Sequence, residues 1–154
     1  MSKSILIATA LLFSTTLFAD VATDAKVKSA NQVLEAAKLT HFTRRKSPIP
    51  KKLKKKWLKR AVPAVEKALK MVPEGYHIHI YGHTDTRGGK NYNYKLGKKR
   101  ARNVYKALVK ALKKKGIKAE GKLKYEGKGF KDLLDPKNPK SGVNRAVSLE
   151  VIKN

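Results

Sequence analysis

The sequence predicts an α+β domain, a small β-sheet with helices packed on one of its faces. Apolar residues recur every three or four positions over residues 51–72 and 93–115, the spacing of one helical stripe, and alternate over residues 76–81 and 143–152, the spacing of strands. The length, 154 residues, suits one domain with a sizeable core; a chain of this size buries about 68–70% of its unfolded surface.

Taken in order, residues 1–19 combine Lys3, an apolar run over residues 5–18 and a small residue at Ala19. This is the layout of a secretory signal peptide cleaved after Ala19, and the run is too short to span a bilayer comfortably. Residues 20–39 form an N-terminal extension with helical spacing at Val27, Ala30, Leu34 and Ala37. His41, Phe42 and Thr43 suggest a first strand, and Pro48 and Pro50 break regular structure after it.

The helix over residues 51–72 places Leu53, Trp57, Ala61, Val65, Leu69 and Val72 on one face, with Pro63 expected to kink it or begin a second segment. Tyr76, Ile78 and Ile80 then alternate with His77, His79 and Tyr81. The second helix runs over residues 93–115, with Leu96, Ala101, Val104, Leu108 and Leu112 inward and Gly116 as its C-terminal cap. A strand is expected at residues 122–126, a loop at 127–141 with one helical turn near Asp132 to Leu134, and a last strand over residues 143–152.

Thirty-seven Lys and Arg against eleven Asp and Glu give a net charge of +26. Such a charge solvates a surface and also concentrates polyanions near it. Removing residues 1–19 would take away one charged side chain, Lys3. The chain has no cysteine, which excludes disulfides, thiolate metal sites, a cysteine nucleophile and an acylated cysteine. His77, His79 and His83 are close in sequence but lack further ligands at metal-binding spacing, so no metal and no cofactor is assigned. No nucleophile with a base and no carboxylate pair stands out, so the protein is not expected to be an enzyme.

Residues 82–101, GHTDTRGGKNYNYKLGKKRA, are where the chain specifies a site. Asn93 and Arg100 are two helical turns apart and share a face, and Asp85 lies where the preceding strand ends. A carboxylate, an amide and a guanidinium brought together complement a zwitterion. The same spacing also fits an Asp85–Arg100 ion pair that staples turn to helix, and spacing alone does not choose between them.

This stretch, followed by YEGKGF at residues 125–130 and VNRAV at residues 143–147, resembles the OmpA-like C-terminal domain family, which includes the domain of the peptidoglycan-associated lipoprotein. The resemblance is ordered from Tyr76 to Ile152 and implies an OmpA-like domain over residues 40–154. It implies a small mixed β-sheet in a β-α-β-α-β-β arrangement and non-covalent binding of peptidoglycan through the diaminopimelate of its stem peptides. By position in the motifs, Asp85 and Arg100 would hold the free amino acid end of diaminopimelate, with Asn93 and Arg145 in support. Ala146 stands where the family has a second arginine, and the lipid-bearing cysteine of the lipoprotein subgroup is absent. A free-standing periplasmic member is therefore expected, associated with the cell wall or outer membrane and not with nucleic acid.

The rival expectation is electrostatic binding of lipopolysaccharide or anionic lipid through residues 51–60, seven of which are Lys or Arg. Other envelope proteins are further candidate partners.

Overall fold

The computed structural model describes the backbone of residues 3–154 and the side chains of residues 18–154. Helix α1 spans Lys3–Leu34, followed by a 3-10 turn at Glu35–Ala37; α2 spans Lys51–Met71, β1 Tyr76–His83, α3 Lys90–Lys114, β2 Leu123–Gly129 and β3 Val147–Lys153. The leader expected at residues 1–19 lies almost wholly outside the described side chains. Among the described residues, no helix is long and apolar enough to cross a membrane.

The sheet is mixed, in the order β2-β1-β3, with β1 parallel to β2 and antiparallel to β3. Register lines up Leu123, Ile78 and Val151 in one row and Tyr125, Ile80 and Leu149 in the next. Because side chains alternate along each strand, these rows share a face. On that face Ile78 and Ile80 join Val65 and Ala68 of α2 and Val104 and Leu108 of α3 in one buried cluster. The opposite face carries His79 stacked on Tyr81, their ring centres 4.4 Å apart.

The two amphipathic helices follow their predicted stripes. Trp57, Ala61, Val65 and Ala68 of α2 are buried, as are Leu96, Ala101, Val104, Leu108 and Leu112 of α3. α3 ends as its sequence suggests. Gly116 adopts a positive φ of 74°, its N–H donates to the Lys113 carbonyl, and the Ile117 N–H reaches back to the Leu112 carbonyl. That is the Schellman pattern, which uses a residue without a Cβ at its left-handed position.

Residues 30–39 are tied into the domain. Ala30, Leu34, Ala37 and Leu39 are buried in the core, and the Trp57 indole N–H donates to the Ala37 carbonyl at 2.8 Å. The Asn31 side chain accepts the Val151 N–H at 2.7 Å, which satisfies an edge group of β3.

Four expectations are corrected. The strand proposed at His41 to Thr43 is absent; an isolated bridge joins Leu39 to Val147, and His41 takes a positive φ of 63° that ends any extended run. Pro63 does not begin a second segment, because α2 is continuous and the flanking Val62 and Ala64 are buried. The helical turn expected near Asp132 does not form, and a 3-10 turn at Gly142–Asn144 takes the start of the proposed last strand. There the Asn144 amide holds the loop closed, donating to the carbonyls of Asp135 and Asn138 at 3.1 and 3.0 Å.

Candidate functional site

The site begins with how closely α3 lies on the sheet. A Cβ built on Gly82 of β1 would sit 1.8 Å from the Gly97 carbonyl oxygen of α3, and one on Gly97 would sit 2.3 Å from the Gly82 oxygen. A Cβ on Gly127 of β2 would come within 2.3 Å of the Tyr94 oxygen. Only residues without side chains let backbone meet backbone in this way. The contact brings the first turns of α3 against the C-terminal end of β1, where Thr84 and Asp85 follow the strand.

A pocket of about 420 Å³ opens at that junction, and Asp85, Asn93, Arg100 and Arg145 all line it. Arg44, Arg45, Thr84, Arg87, Gly88, Gly89, Tyr92 and Leu96 complete its wall.

Asp85 is buried and already engaged. Its Oδ2 accepts from Arg87 Nη1 at 3.0 Å and from Arg145 Nη1 at 3.2 Å, while Oδ1 accepts the Arg87 backbone N–H at 3.2 Å. The direct Asp85–Arg100 staple left open by spacing is not among these ion pairs.

Arg100 is fully buried and serves as a hub. Its Nε–H donates to the Lys46 carbonyl at 3.1 Å, Nη1 to the His83 carbonyl at 2.8 Å and Nη2 to the Thr43 carbonyl at 3.3 Å. The guanidinium also stacks 5.2 Å from the centre of the Phe42 ring. A guanidinium has five N–H groups, so each terminal nitrogen keeps one that these bonds do not use. Burial, followed by the nearby charge of Arg145, lowers the pKa of Arg100 to about 10, which leaves it cationic at neutral pH.

Asn93 shapes the turn. Its amide nitrogen donates to the carbonyls of Arg87 and Gly88 at 3.0 and 3.1 Å, so both amide hydrogens are committed to residues 87–88. Arg145 joins two distant segments, donating from Nε to the Phe42 carbonyl at 2.7 Å as well as to Asp85. Ala146, the departure from the family motif, is a buried core residue.

The family model for the OmpA family matches residues 42–146. The chain belongs to the OmpA family. Solved structures share the fold. The peptidoglycan-associated lipoprotein from Burkholderia pseudomallei is 23% identical with a TM-score of 0.55, over 73% of this chain and 88% of that one. The periplasmic domain of Helicobacter pylori MotB is 18% identical with a TM-score of 0.54, over 76% of this chain and 74% of that one. The OmpA-like domain of FopA1 from Francisella tularensis is 23% identical with a TM-score of 0.50, over 73% and 68%. No curated protein matches the chain. OmpA-like domains of this kind are non-enzymatic binding domains.

Sequence reasoning missed Thr84, Arg44, Arg45 and Arg87 as pocket residues. Thr84 is the most informative of them, because its hydroxyl is buried in the wall with no hydrogen-bond partner. Its place beside Asp85 was the available signal. His77 Nε2 and His79 Nδ1 share a hydrogen bond at 3.0 Å, and among the described residues no cluster is suited to a metal ion. His83 is enclosed separately. Its Nδ1–H donates to the Asp132 carbonyl at 3.1 Å, so Nε2 accepts from the Ser148 hydroxyl at 2.8 Å, and burial pushes its pKa down to about 4.

Proposed function

We propose that the protein binds peptidoglycan non-covalently in the bacterial envelope, with the pocket at the α3 N-terminus receiving the diaminopimelate end of a stem peptide. The observation that carries this reading is the convergence of Asp85, Asn93, Arg100 and Arg145, drawn from three separate stretches of sequence, on one pocket. Arg100 offers its two remaining N–H groups to a carboxylate, and the orphaned Thr84 hydroxyl provides a further polar contact. Asp85 keeps acceptor capacity on Oδ1, which takes one bond in the structure, and this suits an ammonium. Asn93 acts through the turn it holds. Export by a signal peptide cleaved after Ala19, leaving the domain in the periplasm, is part of the same proposal.

Each charge-assisted hydrogen bond contributes about 1.5–3 kcal/mol, whereas association costs at least about 4 kcal/mol. A single stem peptide therefore binds modestly, and the many copies in a cell wall retain the protein by rebinding. Co-sedimentation with purified sacculi tests the proposal. Asp85→Ala and Arg145→Ala, shown to be folded by circular dichroism, are expected to leave most of the protein in the supernatant. Pelleting of both variants like the parent would show that the pocket is not the site.

A second reading applies to a different surface. The groove between α2 and α3 is lined by Lys54, Leu58, Ala107, Lys110, Ala111 and Lys114, so lysines of α3 join the basic start of α2 around an apolar floor. Lys110 lies seventeen residues beyond Asn93, about 25 Å along the helix. Anionic lipid or lipopolysaccharide fits this surface. Binding to anionic vesicles that disappears in moderate salt and ignores Asp85→Ala would support it; vesicle binding that falls with Asp85→Ala would refute it.

A further inference from the structure

The charge lining the pocket is unbalanced. Arg44, Arg45, Arg87, Arg100 and Arg145 face a single carboxylate, Asp85. Asp85 forms ion pairs with Arg87 and Arg145. Arg44 and Arg45, both exposed, have no ion-pair or side-chain hydrogen-bond partner among the described residues. The first turn of α3 adds to the positive field, because Gly88 and Gly89 line the same pocket and the helix has no side-chain cap at Gly89.

These two arginines are held in place. They occupy a turn closed by the Lys46 N–H on the Thr43 carbonyl, and Arg45 adopts a left-handed φ of 59°, which a residue with a side chain takes at some strain. Arg100 clamps both ends of that turn through the Thr43 and Lys46 carbonyls. Arg145 fixes the residue before it through the Phe42 carbonyl, while the Phe42 N–H returns a bond to the Arg145 carbonyl. The two arginines expected to hold ligand thus also brace the turn that presents Arg44 and Arg45 to the pocket.

We infer that Arg44 and Arg45 form a second carboxylate subsite, so the pocket selects a peptide carrying a free carboxylate on the residue preceding diaminopimelate. The inference rests on the peptidoglycan reading and deepens it. A lone zwitterion brings no net negative charge to a site with an excess of guanidinium groups, whereas a ligand with a further carboxylate compensates part of that excess. Planar guanidinium forks grip such groups bidentately, a geometry lysine does not reproduce.

The test uses two synthetic peptides, alanyl-γ-glutamyl-diaminopimelate with the glutamate α-carboxylate free, and the same peptide with that carboxylate amidated. Titration calorimetry on the parent is expected to show the free form binding more tightly, on the order of tenfold. Arg44→Gln/Arg45→Gln, at exposed positions, is expected to remove that preference, so that the free and amidated peptides bind alike; a variant that keeps the parent's preference would overturn the subsite. Equal binding of both peptides by the parent would overturn the subsite and leave the peptidoglycan reading standing. Failure of the parent to bind either peptide would sink both. Displacement of the free peptide by an equal concentration of inorganic phosphate would also overturn it, by showing an anion site without selectivity for carboxylate.

Discussion

Arg145 Nη1 lies 3.2 Å from Asp85 Oδ2, joining the second residue before β3 to the second residue after β1 across sixty positions of sequence. Arg145 also holds the Phe42 carbonyl, so one side chain ties three segments around the pocket. Arg145→Gln is expected to destabilise the fold by about 1.5–3 kcal/mol, the range for losing hydrogen bonds to a charged group. Urea denaturation measures this, and a double-mutant cycle with Asp85→Asn should show the two effects to be less than additive.

The contact between Gly82 and Gly97 predicts a second outcome. Gly97→Ala improves helix propensity by about 1 kcal/mol on an isolated helix, yet its new methyl would fall 2.3 Å from the Gly82 oxygen. Overpacking of this kind costs about 1–3 kcal/mol or more, so net destabilisation is expected. An increase in melting temperature would contradict the close approach.

His83 predicts how stability depends on pH. Its folded pKa, about 4, lies below the ordinary 6.5 chiefly because burial disfavours the charged ring. Between these values the unfolded chain binds a proton that the folded chain refuses. The stabilisation is therefore complete above about pH 6.5 and is lost as pH falls toward about 4, by up to about 3 kcal/mol. His79, also lowered by burial and then by His77, acts in the same direction. Denaturation midpoints between pH 4 and 7 should fall with pH in the parent and fall less in His83→Gln.

The packing of residues 30–39 predicts the effect of truncation. Deleting residues 1–19 should leave the melting temperature unchanged. Deleting residues 1–39 removes the buried Ala30, Leu34, Ala37 and Leu39 and the acceptor for the Trp57 N–H. Burial of the two leucines alone contributes at least about 3 kcal/mol, so this variant should be markedly less stable.

Much of this architecture was legible because its signals are local. Helices α2 and α3 announce themselves through 3.6-residue periodicity, and β1 and β3 through alternation, since each element must bury one face. The ordered motifs singled out Asp85, Asn93, Arg100 and Arg145, which the fold gathers around one pocket. What stayed hidden depends on distant partners. Nothing near Arg100 indicates that three of its donors hold the carbonyls of Thr43, Lys46 and His83. The extended reading of residues 41–43 failed because β propensity does not register the left-handed backbone at His41. Nothing in the sequence around Gly97 shows that the backbone of Gly82 packs against it. Arg44 and Arg45 read as two more charges in a basic protein, and the turn that directs them to the pocket is built by residues far along the chain.

The central claim is that peptidoglycan enters the pocket between β1 and α3. Titrating a soluble diaminopimelate-containing muropeptide into isotopically labelled protein and following backbone amide shifts by NMR tests it most directly. The largest changes are expected at Thr84, Asp85, Asn93, Arg100 and Arg145. Changes confined to residues 51–60 and the α2–α3 groove, or none at saturating peptide, would contradict it.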